Sequence, residues 1–505
     1  MISRRSFLRT IGIAAAGLPA AARILSASPS RMVDRDGFSH AGRLPVRVRG
    51  AVRIDGRGAG RIAVSDGLSV VATEPDGSFD LKSATGRPFC FVSVPAGVEI
   101  PVSSGGSAAH FRAVHPGADG EASIIFDFVR SSTSDQRHGF LVLADPQTLD
   151  LDDMKQFHET TVADVRETAA RMSGVSLFGV GCGDLMFDRL ELFPDYEKGI
   201  TKTGVPFFQV LGNHDVDTLA KTDEASVWTF MKTFGPTWYS FNRGEVHYVV
   251  LDDVLWLGDG YVGYLTGEQL DWLRADLEMI ERGRSVIVFV HIPVYCTQHI
   301  RSGGGRPDRS VVVANRELLY EILSPYRARI IAGHMHETEH LRDGGVDQHV
   351  CGAVCGAWWT GPICGDGTPN GYAVYEVNGE SLRWRYKSTG KPFEEQMRVY
   401  PPGADASAPL EMIANIWDWD PSWKVTLYED GIRKGTLRQV RGKDPLSVQL
   451  HQGPTLPTKH TWVEPYVTDH LFRAIPSPGA REVLVEAIDG FGRSYTRRLP
   501  GSSQH

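Results

Sequence analysis

The feature that most constrains the fold is a series of five short apolar runs, each of which ends in polar residues. The runs cover residues 140–144, 175–182, 205–211, 286–290 and 330–332. They lead into Asp145-Pro146-Gln147, Gly183-Asp184, Gly212-Asn213-His214-Asp215, His291 and Gly333-His334-Met335-His336. Short continuous apolar runs predict strands that are buried on both faces of a parallel sheet. Because such sheets bind their ligands at the carboxyl ends of the strands, we expect these polar residues to converge on a single edge of the sheet.

One strand end of this kind is weak evidence for a site. Asn213-His214-Asp215 taken alone is more simply a polar turn with a hydrogen-bonded histidine. Five such ends along one chain favour a site that they build together. Their donors are oxygen and imidazole without thiolate, a set that suits a catalytic site for manganese, iron or zinc better than a structural zinc site.

The first residues have the pattern of an export signal. Ser3-Arg4-Arg5-Ser6-Phe7-Leu8-Arg9 precedes a short run of small and apolar residues at 10–22, which resembles a twin-arginine signal. Removal of about residues 1–27 would leave no transmembrane anchor, because no later apolar stretch reaches about 18 residues. We therefore expect the twin-arginine export machinery as a partner and a periplasmic or extracellular location.

Charge and cysteine content narrow the remaining possibilities. The formal net charge of -8 argues against nucleic acid as an obligate partner. Of the six cysteines, three lie close together in sequence, at Cys351, Cys355 and Cys364. An oxidising compartment permits disulfides among them; a zinc site is the alternative, but these three cysteines lack an obvious fourth ligand.

The chain divides into three parts after the signal. Residues 45–130 alternate short apolar runs with Asp-Gly turns, which predicts a small antiparallel sandwich similar to the carboxypeptidase-regulatory-like and transthyretin-like domains. Residues 138–395 follow a strand, helix, strand rhythm that predicts parallel pairing in a layered α/β domain. Within it, residues 350–386 predict antiparallel pairs that complete a second sheet. Short alternating runs predict a further β domain at residues 400–500.

The order of the five polar motifs resembles that of the calcineurin-like metallophosphoesterases over about residues 138–390. The resemblance implies an α/β fold with a four-layer α-β-β-α core and two flanking β-sandwich-like domains. It also implies two metal ions, drawn from manganese, iron and zinc. By position, the first ion would be held by Asp145, Gln147 and His336, and the second by Asn213, His291 and His334, with Asp184 bridging both.

The resemblance further implies the reaction. Hydroxide between the two ions would attack a phosphomonoester or phosphodiester in a phosphorylated small molecule, lipid or glycan. His214 would be the general acid or transition-state stabiliser at the leaving oxygen, and Asp215 would orient its ring. Asp188 is expected to fix the loop rather than to bind metal.

Gln147 departs from the family pattern, which usually has histidine there. An amide oxygen is a weaker donor than imidazole, so the first ion is expected to bind less tightly or to be a harder ion such as manganese. Some active relatives that hydrolyse nucleotide diphosphates also carry glutamine. This leaves three alternatives open: a hydrolase of pyrophosphate bonds in nucleotide or lipid diphosphates, a site that lost its first metal, and a non-catalytic, metal-stabilised protein that binds surface glycans.

Substrate-binding residues are less determined by the sequence. Arg301 and Arg306 flank a glycine-rich stretch soon after His291 and would close over a phosphate, although a solvated loop explains them equally well. Trp358 and Trp359 follow the last metal-ligand motif and would wall the pocket, with core packing as the alternative.

Overall fold

The computed structural model describes residues 44–500 as a mixed α/β protein with several sheets. None of the helices within this range is both long and apolar enough to cross a membrane. The predicted signal at residues 1–27 lies outside the described residues.

The strands before residue 130 form two small sheets. They are β1 (Pro45–Ile54), β2 (Arg57–Gly58), β3 (Ala63–Ser65), β4 (Val70–Ala72), β5 (Ser78–Ala84), β6 (Phe89–Val92), β7 (Phe111–Ala113) and β8 (Glu121–Phe128). The second sheet, in the order β4-β3-β6-β7, is antiparallel. In the first, β1 pairs antiparallel with β2 and β5 but parallel with β8. The expectation of a purely antiparallel sandwich was therefore wrong, because the long connection through the second sheet lets the chain return in the direction of β1.

The central part is built on two larger sheets. Its elements are β9 (Arg137–Leu143), α1 (Leu151–Gln156), a π-helix (Phe157–Val162), α2 (Ala163–Arg171), β10 (Ser176–Cys182), a 3-10 helix (Leu190–Leu192), α3 (Phe193–Thr203), β11 (Phe207–Val210), α4 (Asp223–Ser226), α5 (Trp228–Phe234), β12 (Tyr239–Arg243), β13 (Val246–Val250), β14 (Val254–Trp256), β15 (Tyr261–Gly263), α6 (Gly267–Leu277), β16 (Ser285–Phe289), α7 (Gln298–Arg301), α8 (Arg316–Leu323), β17 (Arg327–Ala332), β18 (Glu339–Asp343), β19 (Val346–Val350), β20 (Gly371–Asn378) and β21 (Ser381–Ser388). The sheet orders are β11-β10-β9-β20-β21 and β12-β13-β16-β17-β19-β18.

The five apolar runs are divided between these two sheets. β9, β10 and β11 are parallel neighbours in the first, whereas β16 and β17 are parallel neighbours in the second. The polar strand ends therefore come from the edges of two sheets. The expectation that they share a single edge of one sheet was wrong. β20 and β21 also differ from expectation: β20 pairs antiparallel with β9, so this hairpin extends the first sheet instead of completing the second.

The two sheets pack face to face through aromatic rings. The ring centroid of Phe140 on β9 lies 5.7 Å from that of Tyr248 on β13 and 5.8 Å from that of Phe289 on β16. The next residue along β9, Leu141, belongs instead to the cluster formed with the helices that carry Phe157 and Ile200. Alternate residues of one strand thus face the second sheet and the helices. Burial on both faces explains why these strands read as continuous apolar runs.

Residues 397–500 form two four-stranded sheets. Their elements are β22 (Met397–Tyr400), β23 (Met412–Ile416), β24 (Lys424–Glu429), β25 (Ile432–Thr436), β26 (Arg438–Lys443), α9 (Pro445–Gln452), β27 (Val467–Ala474), β28 (Glu482–Ile488) and β29 (Ser494–Pro500). The orders are β22-β23-β27-β26 and β25-β24-β28-β29. Met412 and Phe472 from the first sheet share one core with Val425 and Val485 from the second.

Candidate metal centre

Asp184 is the centre of a buried cluster that joins the predicted ligand residues. Asp184 lies in the loop after β10, and the residue is 1% exposed. Its Oδ2 accepts a hydrogen bond from Nε2 of Gln147 at 2.6 Å. Its Oδ1 accepts one from the backbone N–H of His214 at 2.8 Å and lies 3.2 Å from Nε2 of His291. Loops of both central sheets therefore meet at this carboxylate.

His291 brings the second group of predicted ligands together. Its Nδ1 donates to the carbonyl of Cys182 at 3.0 Å, which leaves Nε2 for the cluster. Nε2 lies 3.1 Å from Oδ1 of Asn213 and 3.2 Å from Nδ1 of His334. The ligand atoms of Asp184, His291 and His334 all lie within 4.8 Å of one another. A carbonyl that fixes the other ring nitrogen is the usual support of a metal-binding histidine.

Asp145 and His336 make up the neighbouring group. His336 donates from Nδ1 to the carbonyl of Gly356 at 2.6 Å, and its Nε2 lies 3.5 Å from Oδ1 of Asp145. Oδ2 of Asp145 also accepts a hydrogen bond from the backbone N–H of His334 at 2.9 Å. The same arrangement thus recurs, with one ring nitrogen anchored to the backbone and the other directed to a carboxylate.

Gln147 tests whether the cluster fits a cation. Its Nε2 donates to Asp184, but its Oε1 is buried and no hydrogen-bond donor among residues 44–500 reaches it. A buried acceptor without a partner is costly unless an unseen group satisfies it. Oxygen and imidazole donors around such an atom suit manganese, iron or zinc. The residues present therefore fit the metal ions that their positions imply.

The backbone of the cluster is strained where the ligands leave the strands. Positive φ angles between 37° and 70° occur at Asp145, Gln147, Asp184, His334 and His336. Each such residue costs on the order of 1–3 kcal/mol and persists only where the surroundings enforce it. Gly212 contributes by lacking a side chain, because a Cβ there would clash with the backbone N of Asp184. The loops are therefore shaped to bring side chains together at the expense of local stability.

Burial and neighbouring charges set the protonation of the cluster. Burial raises the pKa of Asp145 to about 8. Burial also opposes ionisation of Asp184, but His291 and His214 outweigh it and hold the pKa of that carboxyl well below its usual range. Burial and the neighbouring His291 lower the pKa of His334. Asp184 is therefore the group that carries negative charge at the centre of the cluster.

The ring of His214 is oriented by Asp188. Nδ1 of His214 lies 2.8 Å from Oδ1 of Asp188. The sequence had suggested Asp215 for this role, and that expectation was wrong. The Asp215 carboxylate is buried and accepts the backbone N–H groups of three residues of the two loops, each at 3.0 Å: Gly212, Leu185 and Met186. Both oxygens of Asp215 therefore tie the two loops together, and Asp188 is the carboxylate that contacts the ring of His214.

The two tryptophans lie beside the cluster in different ways. Trp358 stacks on His336 with ring centroids 3.9 Å apart and an angle of 15° between the planes. Trp359 donates its indole N–H to the carbonyl of Pro146 at 3.0 Å, between Asp145 and Gln147. Trp358 thus covers a predicted ligand, whereas Trp359 holds the loop that carries two others.

The two arginines were predicted to bind substrate, and the structure separates them. Arg301 is buried, with Nη2 donating to Oε1 of Glu337 at 2.6 Å and Nη1 to the carbonyl of Val467 at 2.6 Å. Its guanidinium therefore joins the central and C-terminal parts and is not directed at a phosphate. Arg306 lies exposed in the following loop.

Sequence reasoning missed two residues around the cluster, Asp253 and Phe187. Oδ1 of Asp253 accepts the backbone N–H of His291 at 3.3 Å and so holds the end of β16. Its signal was present, because Asp252 and Asp253 follow the apolar run of β13 as the other polar ends follow theirs. Phe187, by contrast, stacks on His214 with centroids 4.4 Å apart, and no local pattern announces that contact.

The cysteines form no disulfide in this structure. All six lie within the described residues as free, buried thiols. Sγ of Cys355 lies 3.7 Å from Nδ1 of His336, so one thiol borders the cluster without being directed into it.

Three family models match successive parts of the chain. They are the N terminal of calcineurin-like phosphoesterase at residues 46–131, calcineurin-like phosphoesterase at residues 139–338, and the C terminal of calcineurin-like phosphoesterase at residues 348–495. No curated protein matches the chain.

Solved structures of phosphatases show distant similarity. A dimetal phosphatase from Danio rerio is 15% identical over 50% of this chain and 96% of that chain, with a TM-score of 0.36. A purple acid phosphatase from yellow lupin (Lupinus luteus) seeds is 14% identical over 55% of this chain and 57% of that chain, with a TM-score of 0.37. A putative 5'-nucleotidase from Staphylococcus aureus is 13% identical over 50% and 53%, with a TM-score of 0.33.

The five polar strand ends are gathered at Asp184, and three consecutive family models match the chain. The chain therefore belongs to the calcineurin-like phosphoesterases, which are metal-dependent phosphoester hydrolases that use two metal ions, and it carries the N-terminal and C-terminal domains of that family.

Proposed function

We propose that this protein hydrolyses phosphomonoesters or phosphodiesters with two metal ions. Asp145, Gln147 and His336 would hold the first ion; Asn213, His291 and His334 would hold the second. One observation carries the proposal: the Asp184 carboxylate lies within 3.2 Å of Gln147 from the first set and of His291 from the second. A carboxylate in that position is suited to bridge two cations.

The residues around the cluster have separate tasks in this proposal. When bound, two cations supply an activated water and neutralise the charge of the phosphate oxygens. His214 donates a proton from Nε2 to the leaving oxygen, because its Nδ1 is engaged by Asp188 at 2.8 Å. Phe187 holds the plane of that ring by stacking on it. Burial lowers the pKa of His214, but the Asp184 and Asp188 carboxylates outweigh burial and raise it to about 9, so the ring carries the proton that it must donate.

The test combines metal analysis with a substrate panel. Purified protein is analysed for bound metals and assayed with nitrophenyl phosphate, bis-nitrophenyl phosphate and a nucleoside diphosphate. We expect turnover of the monoester or the diester and a loss of about 10²- to 10⁴-fold in Asp184→Asn and His214→Ala. Asp271→Asn changes a carboxylate that is 72% exposed on α6 and serves as the matched control. Full activity in both site variants would overturn the proposal, and turnover of the diphosphate alone would favour the pyrophosphate-bond alternative.

We also propose that the protein is exported by the twin-arginine machinery to the periplasm or beyond. The support is Arg4-Arg5, Phe7-Leu8 and the small, apolar run that follows. Fractionation of producing cells tests the proposal. Wild type should accumulate outside the cytoplasm, and the Arg4→Lys, Arg5→Lys double variant should remain inside; equal export of both would contradict it.

The finer architecture is part of the same proposal. Helices pack on the face of the first central sheet that is turned away from the second, and α6 and α8 share one core with the second sheet, which supports a four-layer α-β-β-α core at residues 138–395. The sheet pairs at residues 45–130 and 400–500 support two flanking β-sandwich-like domains, the first of the carboxypeptidase-regulatory-like, transthyretin-like type. The substrate would be a phosphorylated small molecule, lipid or glycan, and no nucleic acid is expected as a partner.

A further inference from the structure

A continuous series of ring contacts connects the candidate acid with a candidate metal ligand. His214 stacks on Phe187 at 4.4 Å, and His336 stacks on Trp358 at 3.9 Å between centroids. Two further rings close the gap between these pairs. His460 lies 5.6 Å from Phe187, Trp462 lies 5.6 Å from His460, and Trp462 lies 4.5 Å from Trp358. We call Phe187, His460, Trp462 and Trp358 the aromatic arch.

The middle of the aromatic arch comes from the C-terminal part of the chain. His460 and Trp462 lie between α9 and β27, more than 120 residues after the last predicted metal ligand. The preceding residue anchors this segment to the central part: Nζ of Lys459 lies 2.6 Å from Oδ1 of Asp153 and 2.9 Å from Oδ2 of Asp150. Asp153 is buried beneath this contact. The segment is therefore fixed over α1 and not merely adjacent to it.

Two residues of the aromatic arch have a strained backbone, as the candidate metal ligands do. Trp358 has a φ of 53° and His460 a φ of 52°, both in the left-handed region that bulky residues rarely adopt. All four residues of the aromatic arch are only partly buried. Strained non-glycine residues cluster at functional sites, where the surrounding structure holds a side chain in one specific position.

The rings of the aromatic arch offer uncharged faces, and the nearby cations Lys459 and Arg301 are paired with carboxylates. Lys459 is engaged by two carboxylates and Arg301 by Glu337. Burial lowers the pKa of His460, so its ring is neutral near pH 7. Neutral aromatic faces attract flat π-systems, which they contact in stacked or edge-to-face geometry.

We propose that the aromatic arch binds the leaving group of the substrate and selects esters whose leaving group carries a planar aromatic ring, such as an aryl group or a nucleobase. His460 and Trp462 of the C-terminal part then determine specificity for a reaction carried out by residues of the central part. This inference rests on the proposed phosphoesterase activity, because it assigns the group on the far side of the scissile bond.

The experiment compares two esters that differ in ring shape and little else. Benzyl phosphate and cyclohexylmethyl phosphate, or their methyl diesters if the enzyme prefers diesters, have leaving groups of similar size and basicity, but only the first is flat. We expect Trp462→Leu to lower the ratio of kcat/KM for the benzyl ester to that for the cyclohexylmethyl ester by about threefold to tenfold, chiefly through KM. Trp423→Leu, at a half-buried tryptophan elsewhere in the C-terminal part, should keep the wild-type ratio.

The outcomes separate this inference from the proposed function. An unchanged ratio in a Trp462→Leu protein of native Tm and metal content would overturn the inference and leave the rings a purely structural role. If that variant does not fold, competition by phenylphosphonate and cyclohexylphosphonate against wild type decides instead: stronger inhibition by the flat ring is expected, and equal inhibition contradicts the inference. Failure of wild type to hydrolyse any ester would instead contradict the proposed function itself.

Discussion

His214 and Asp188 form a hydrogen-bonded pair at the rim of the metal cluster, with Nδ1 and Oδ1 2.8 Å apart. The side chain of Asp188 is 43% exposed and that of His214 is 18% exposed, whereas the predicted metal ligands Asp145 and Asp184 are almost completely buried. The pair is thus accessible to a substrate while its ring is held in one orientation. Such a pair suits proton donation to a leaving group and does not suit metal binding.

Asp188→Asn tests that assignment. An amide removes the negative charge of Asp188, which helps to raise the pKa of His214, so we expect kcat to fall by about 10- to 100-fold for an ester with an alkyl leaving group. The fall should be smaller for nitrophenyl phosphate, because nitrophenolate leaves without needing a proton. Steady-state kinetics with both esters measures the difference.

Asp215→Asn is the matched control for this prediction. Asp215 holds three backbone N–H groups and does not hold the His214 ring. We therefore expect its replacement to lower Tm more than Asp188→Asn does. A loss in Asp188→Asn that is equal for both esters would contradict the role given to Asp188.

Gln147→His should increase retention of metal. Imidazole is a stronger donor than the amide Oε1, which is buried without a hydrogen-bond partner among residues 44–500. After dialysis against a chelator, elemental analysis should find more metal per chain in the variant than in wild type. Gln136→His, at an exposed position, controls for an added histidine and should match wild type. Less metal in Gln147→His would show that the hydrogen bond from Gln147 to Asp184 matters more than donor strength.

Arg301→Met should lower the stability of the folded protein, whereas Arg306→Met should leave it nearly unchanged. Loss of Arg301 leaves the buried carboxylate of Glu337 without its partner, which costs about 3–5 kcal/mol and lowers Tm, while KM stays near the wild-type value. Arg306 is exposed, so its replacement should change the free energy of unfolding by less than about 0.5 kcal/mol. Thermal unfolding and KM measured on the same preparations check both. A raised KM with unchanged Tm in Arg301→Met would restore that arginine as a phosphate-binding residue.

His138 should make stability fall in mild acid. It is buried in β9, where Nδ1 donates to the carbonyl of Asp135 at 2.7 Å and Nε2 lies 2.5 Å from the hydroxyl of Tyr248. Burial lowers its pKa from 6.5 to about 4. Between these pH values the His138 ring binds a proton in the unfolded chain but not in the folded protein. Neutral His138 therefore costs no stability above pH 6.5, and the free energy of unfolding decreases as the pH falls from 6.5 towards 4.

Comparison of Tm at pH 7 and pH 4.5 measures this effect. The decrease should be smaller in His138→Gln, because glutamine retains hydrogen-bonding groups but does not titrate. His115→Gln, at an exposed position, should decrease as wild type does. An identical decrease in all three proteins would exclude His138 as a source of the pH dependence.

The candidate ligands were predictable because their signal is local. Asp145, Asp184 and His291 each follow a short apolar run. A strand that is buried on both faces is apolar along its whole length, so the apolar run marks where the strand begins and ends. The strands β9, β10, β11, β16 and β17 accordingly lie within a few residues of the predicted runs. The same local signal is present for Asp253, which follows the apolar run of β13.

The division of the strands between two sheets and the partners of the polar side chains were decided only by tertiary structure. Asp188 faces His214, Arg301 pairs with Glu337, and Trp462 contacts Trp358 across 104 positions of the chain. No periodicity in the sequence encodes such contacts, because they depend on how the packed sheets and the C-terminal part bring distant loops together. Local physics thus determined which residues stand at the strand ends, and long-range packing determined which of them meet.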